Sequence, residues 1–176
     1  MLDRKKKYLQ VALNSTLSEA SEIIRMLPQS ERILLEAGTP LIKHYGIEGI
    51  QFIKSLRPES YVVADLKTMD RGETEVQLAK EGGASAVIAL GQAPIETINI
   101  FIESCKTNGL DSMLDMMNIE HPITILRKLK KQQDVVMLHR GVDEEKFNKD
   151  KPIPYLQINK ILSSFDVMIS IAGGDT

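Results

Sequence analysis

Asp65, Lys67 and Asp70 follow directly on the apolar run Tyr61-Val62-Val63-Ala64, so carboxylates and an ammonium gather at the end of what reads as a buried strand. Side chains alternate along a strand, which sets Asp65 and Lys67 on one face of that end and leaves Asp70 just beyond it in the loop. Charges so placed are costly to desolvate unless they pair with each other, with a metal or with a ligand. An ion pair closing the strand would satisfy them without any chemistry, because structural networks also gather charge. Further polar residues tip the balance: Asn14, Glu36, Asp115 and His139 also fall where apolar runs finish. Glu36 and Asp65 suit a hard divalent ion such as Mg²⁺, which takes one or two carboxylates and completes its shell with water and substrate oxygens. His139 is a candidate proton carrier, since its unperturbed pKa lies near working pH. Gly173-Gly174 would offer backbone N–H groups to a phosphate. His44 and His121 sit in helix-side or loop contexts and receive no role.

These residues need elements that bring them together, and the chain supplies a regular repeat. Apolar strand signals at 8–13, 33–35, 61–64, 86–90, 110–114, 135–138 and 167–172 alternate with helical spacing. Ser15 or Thr16 caps a helix carrying Ala20, Ile23, Ile24 and Leu27, and Pro28 stops it. Gly38-Thr39-Pro40 opens a second helix with Ile47, Ile50 and Ile53 on its apolar side, and 72–81 forms a third, ended by Gly82-Gly83. A helix from Pro94 carries Ile95, Ile98, Ile102 and Cys105; another after Pro122 carries Ile123, Leu126 and Leu129. A polar loop over 143–154 leads to a last helix with Ile158, Ile161 and Leu162.

Continuously apolar strands alternating with helices argue a parallel sheet, and so uniform a repeat argues an α/β fold of the (β/α)8 TIM-barrel type rather than an open doubly wound sheet. No Gly-x-Gly-x-x-Gly follows the first strand, which removes the dinucleotide fingerprint. In a barrel all the strand ends meet at one mouth, and that convergence is what gathers the polar residues. Residues 1–7 read as a charged lead-in or linker and 8–176 as the barrel domain. The repeat stops after the seventh strand signal, so the barrel is expected to be truncated there, its first and seventh strands left as open edges. The expectation that follows is a chain belonging to a longer polypeptide and poorly active by itself.

With 43% hydrophobic and 26% charged residues among 176, the chain has the make-up of an ordinary globular domain. A formal net charge of -2 gives no attraction to nucleic acid or anionic lipid, and no stretch approaches a membrane span or a signal-peptide core. The run Arg4-Lys5-Lys6-Lys7 is the one basic cluster and reads as solvated. Cys105, the single cysteine, excludes an intramolecular disulfide and fits a cytoplasmic location; it falls on the apolar side of its helix as a small core residue.

Val11-Ala12-Leu13, Glu36-Ala37-Gly38-Thr39-Pro40-Leu41-Ile42-Lys43, Ala64-Asp65-Leu66-Lys67-Thr68-Met69-Asp70, Leu90-Gly91, Asp115-Met116 and Ala172-Gly173-Gly174 together resemble the 3-hexulose-6-phosphate synthases, especially their archaeal form, within the orotidine monophosphate decarboxylase superfamily. The resemblance implies a homodimeric barrel with active sites at the subunit interface, which interconverts ribulose 5-phosphate plus formaldehyde with D-arabino-3-hexulose 6-phosphate. It also implies a possible fusion to a formaldehyde-activating domain. By the same resemblance Glu36 and Asp65 hold Mg²⁺, Lys67 adds a second cation and His139 carries the proton. Asp70 would orient Lys67 or substrate hydroxyls, reaching into the partner subunit's site, while Asn14, Asp115, Arg140, Gly173 and Gly174 would contact substrate. Two features depart from the family pattern: Asn14 stands where relatives have Asp, losing charge and basicity, and His139-Arg140 is more similar to 3-keto-L-gulonate-6-phosphate decarboxylase, the alternative enzyme. A non-catalytic module for dimerisation or sugar-phosphate binding is the alternative of another class.

Overall fold

The computed structural model describes residues 1–147 and 155–173. Along the chain run β1 (Leu9–Leu13), α1 (Leu17–Met26), β2 (Ile33–Ala37), α2 (Thr39–Tyr45), α3 (Ile47–Leu56), β3 (Val62–Thr68), α4 (Gly72–Glu81), β4 (Ala86–Leu90), α5 (Ile95–Asn108), β5 (Asp111–Asp115), α6 (Pro122–Leu126), β6 (Val135–His139), α7 (Val142–Phe147), α8 (Tyr155–Ser164) and β7 (Met168–Ala172). The seven strands form one parallel sheet in sequential order β1 to β7. Each strand therefore returns beside its predecessor through a helical crossover, as a barrel requires and an order-reversing doubly wound sheet does not.

The two faces of the sheet explain its curl. One face packs Leu35, Ala37, Val62, Ala64, Val87, Ala89, Leu114, Val136 and Leu138 against helix residues such as Ile24, Ile53, Val76 and Phe101. The other packs strand residues against one another, with Leu34, Val63, Ala86, Ile88, Met113, Val135 and Met137 as its buried members. A sheet covered by helices on one side only hides its other face by closing on itself. Among the described residues there is no eighth strand, and β1 and β7 are the two ends of the sheet. Leu9 on β1 and Ile171 on β7 are accordingly left 60% and 49% exposed, the open edges that the repeat predicts.

Local chemistry sets most boundaries where expected. Thr16 caps α1, its hydroxyl oxygen accepting from the Glu19 N–H at 3.2 Å. The single helix expected after Pro40 is two, because Gly46 at φ +61° breaks it into α2 and α3. The polar stretch from Asp143 is not a loop at its start: Asp143, Glu144 and Glu145 form the first turn of α7, where acidic side chains favour the helix dipole. The remainder of that stretch, 148–154, and Gly174 lie outside the described residues. Cys105 is fully buried, and burial raises its thiol pKa well above the ordinary value, which suits an inert core residue.

Residues 1–7 are docked rather than trailing. The Leu2 N–H donates to Asp111 Oδ2 at 2.8 Å, Leu2 and Tyr8 pack on the inner apolar layer, Lys6 pairs with Glu31 at 2.7 Å, and Arg4 binds the Asp166 carboxylate and carbonyl. Asp111 is 2% exposed, and among the described residues its carboxylate also accepts from the Tyr61 hydroxyl. Tyr61→Phe would leave that buried carboxylate with one donor, so stability measured by urea denaturation should fall by about 1.5–3 kcal/mol. The effect should be confined to stability, because Tyr61 and Asp111 sit at the N-terminal end of the strands, opposite the mouth.

Candidate active site

Register lines up a polar layer at the other end of the inner face. Ala12 pairs with Glu36, Glu36 with Val63, Leu90 with Asp115, Asp115 with Met137, and His139 with Ala172. With a period of two along each strand, Gln10, Glu36, Asp65, Asp115, His139 and Ser170 all belong to the inward set. All but Asp115 border a cavity of about 680 Å³ whose wall includes Gln10, Asn14, Glu36, Thr39, Asp65 and Lys67 on one side, and His139, Arg140, Glu145, Ser170 and Gly173 on the other.

Lys67 is the hub of one cluster. Its ammonium lies 3.1 Å from Asp65 Oδ2 and 2.9 Å from Asp115 Oδ2. Strand alternation alone does not put it there. Ala64 pairs with Val87 and Thr68 with Ala89, so β3 carries two extra residues against β4, and within this bulge Lys67 is left-handed at φ +47°. A non-glycine residue in that region is strained, and strain of this kind persists where surrounding contacts over-determine it. The bulge re-aims Lys67 across β4 to reach β5. Burial pulls the Lys67 pKa down, but Asp65 and Asp115 more than offset it and hold the ammonium above its ordinary value.

Asp115 is fully buried, and its Oδ2 also lies 2.7 Å from His139 Nδ1 while Oδ1 accepts the Met117 N–H at 2.9 Å. Burial raises the Asp115 pKa, but the His139 hydrogen bond and the charges of His139 and Lys67 overcome it and set the carboxyl below its ordinary value. An acid whose folded-state pKa is depressed adds stability above its unfolded pKa of about 3.9, and this contribution is lost as pH falls through the folded value. Asp65 is 5% exposed and accepts from the Thr39 hydroxyl at 2.8 Å.

Glu36 differs. Burial raises its pKa, the Gln10 amide donating to Oε2 works against that, and the charge of Asp65 pushes it up further. Two carboxylates facing one cavity from adjacent strands, one of them raised by the other, form a hard-oxygen donor set with excess negative charge. Such a set fits a cation of the Mg²⁺ type. Among the described residues no three His, Cys, Asp or Glu side chains converge as a complete ligand set, so water and substrate oxygens would fill most of its shell.

The structure thus brings together Asn14, Glu36, Asp65, Lys67, His139, Arg140 and Gly173 around the cavity. Asn14 is exposed at the end of β1, against Gly38, where an added Cβ would lie 1.9 Å from the Asn14 amide oxygen. Gly173 is at φ +76°, and a Cβ added there would lie 2.2 Å from the Arg140 carbonyl oxygen, so no side chain fits. Two residues fall elsewhere. Asp115 stands behind the wall, its oxygens occupied by protein donors rather than open to substrate. Asp70 is exposed and lies outside the cavity lining. Gln10, Thr39 and Ser170 are additions; a glutamine at an inward position of an apolar strand was a readable signal for the first, whereas Thr39 and Ser170 carry none.

In parallel barrels the C-terminal strand ends, where this charged cluster sits, are where active sites are placed. Residues 7–151 match the orotidine 5'-phosphate decarboxylase / HUMPS family, and the chain belongs to that family. It is 42% identical over 168 residues to a bifunctional enzyme Fae/Hps of Methanocaldococcus jannaschii, an alignment covering 95% of this chain and 42% of that protein. Among solved structures it is similar to 3-hexulose-6-phosphate synthase from Salmonella typhimurium, with 31% identity and a TM-score of 0.84 over 96% of this chain and 79% of that one. The likeness to 3-keto-L-gulonate-6-phosphate decarboxylase from Vibrio cholerae, at 21% identity and a TM-score of 0.77 with 96% and 79% coverage, is one of fold. The matches span 35–43% of the length of the similar curated relatives. Among the described residues no helix is long and apolar enough to cross a membrane.

Proposed function

We propose that this barrel is an aldehyde-lyase that interconverts ribulose 5-phosphate plus formaldehyde with D-arabino-3-hexulose 6-phosphate. The observation that carries the reading is the Lys67 ammonium, fixed between two carboxylates at 3.1 and 2.9 Å on the wall of the cavity that His139 also lines. Aldol chemistry passes through an enediolate, and a preorganised cation beside the developing oxyanion is what lowers that barrier. Lys67 serves as that cation, already paid for in strain and desolvation before substrate arrives. His139 takes the proton from the sugar-phosphate carbon next to the carbonyl and, in reverse, returns it. The carbanion then attacks the formaldehyde carbon, and the new alkoxide takes up a proton.

Glu36 and Asp65 would hold Mg²⁺, with Gln10 orienting Glu36 and Thr39 orienting Asp65. When bound, the ion supplies Lewis-acid polarisation of substrate oxygens. Arg140, a cation on the cavity wall beside Gly173, favours the phosphate end. Asp70, exposed beside Met69, which is itself 45% exposed, suits a homodimer in which it completes the partner subunit's site. The relatives' greater length and bifunctional names support a longer polypeptide that also carries a formaldehyde-activating part. Formaldehyde consumption measured with ribulose 5-phosphate should disappear in chelator and return on adding Mg²⁺; consumption that persists undiminished in chelator would remove the metal from this scheme.

A further inference from the structure

The fully buried Asp115 is not placed to touch substrate, yet it contacts both groups to which the chemistry is assigned. Its Oδ2 receives Lys67 Nζ at 2.9 Å and meets His139 Nδ1 at 2.7 Å, and its Oδ1 accepts the Met117 N–H at 2.9 Å. The backbone holds the carboxylate in place as well: the Gly91 N–H donates to the Asp115 carbonyl at 2.8 Å, and the strand register sets Asp115 one strand from His139 and two from Lys67. An oxygen that already accepts from an ammonium has no proton of its own to give, so the contact with His139 forms only if Nδ1 is the donor. The ring's other nitrogen, Nε2, is then unprotonated in the neutral form, on a side chain that lines the cavity and is 18% exposed.

We propose that Asp115 is a positioning residue that fixes neutral His139 as the Nδ1–H tautomer, so that Nε2 is the nitrogen that accepts the substrate proton. Sharing one oxygen between Lys67 and His139 also sets the distance between cation and base, so the two act on one reacting carbon–oxygen unit. The role rests on the reading of His139 as the proton carrier, but the tautomer itself does not. A carboxylate that holds a histidine this way stabilises the imidazolium formed when the base takes its proton, and the wrong tautomer leaves no acceptor toward the substrate.

The test is a long-range proton–nitrogen correlation spectrum of the full chain labelled with ¹⁵N-histidine, recorded without substrate at a pH where the ring is neutral. The His139 signals are those lost in His139→Gln. The expected result is Nδ1 protonated in the unaltered protein and Nε2 protonated, wholly or in part, in Asp115→Asn. In steady-state assays Asp115→Asn should lower kcat about 10²-fold or more with KM within about threefold, because the interaction lost is one made in proton transfer. An Nε2–H tautomer in the unaltered protein, or a spectrum unmoved by Asp115→Asn, would overturn the proposal. So would a rise in KM at constant kcat, which would make Asp115 a substrate contact. A protein that shows the Nδ1–H tautomer but no aldol turnover would instead count against the assigned reaction and leave the positioning role standing.

Discussion

Asp65→Asn should reduce turnover about 10³-fold or more while the protein remains folded. The substitution keeps the shape of the side chain and an oxygen that can accept from the Thr39 hydroxyl, which lies 2.8 Å from Asp65 Oδ2. What it removes is charge: one of the two carboxylates that face the cavity from β2 and β3, and one of the two that flank Lys67. Lys67 retains Asp115 at 2.9 Å, so the fold keeps the fully buried half of the network. Mg²⁺ affinity, read by calorimetry, should fall with the rate, because a single remaining carboxylate, Glu36, leaves a much weaker hard-oxygen site. A variant with near-normal turnover would show that Asp65 merely closes a strand.

Lys67→Met should be damaging in two ways. Removing the ammonium leaves the fully buried Asp115 carboxylate with the His139 and Met117 hydrogen bonds as its partners among the described residues, and breaking a buried pair from one side costs about 3 kcal/mol or more. Turnover should vanish with the cation. The double variant Lys67→Met/Asp115→Asn separates these effects. Stability measured by urea denaturation should recover in part, since the stranded charge is gone, while activity should stay absent. A single variant as stable as the unaltered protein would mean that Lys67 contributes little beyond a solvent-screened contact.

The extent to which the site could be read from sequence follows from which features are local. Each strand end is a local event, an apolar run meeting a polar residue, and the repeat of these events specified a parallel barrel and the mouth to which Glu36, Asp65 and His139 come. Lys67 reached the expected cluster by a different route: a bulge and a left-handed backbone rather than regular alternation, and neither leaves a mark in residue type at that position. Asp115 looked like one more mouth residue because it ends β5. Whether such a side chain faces the cavity or sits behind its wall depends on what lies beside it, here Lys67 from two strands away and His139 from the next. The lead-in showed its charges and hid its docking, since the Leu2 N–H and the buried Asp111 are 109 positions apart in sequence. Gly46, by contrast, was an unused local clue to the break between α2 and α3.

The proposed reaction is defined by the carbon–carbon bond between formaldehyde and the sugar phosphate. Incubating the full chain with ribulose 5-phosphate, Mg²⁺ and ¹³C-formaldehyde, and following the label by carbon NMR, reads that bond directly. The predicted result is transfer of the label to C1 of a hexulose phosphate, absent without the sugar phosphate and absent in Asp65→Asn. Label that stays in hydrated formaldehyde, together with release of carbon dioxide from 3-keto-L-gulonate 6-phosphate by the same preparation, would contradict the assignment and move it to the decarboxylase.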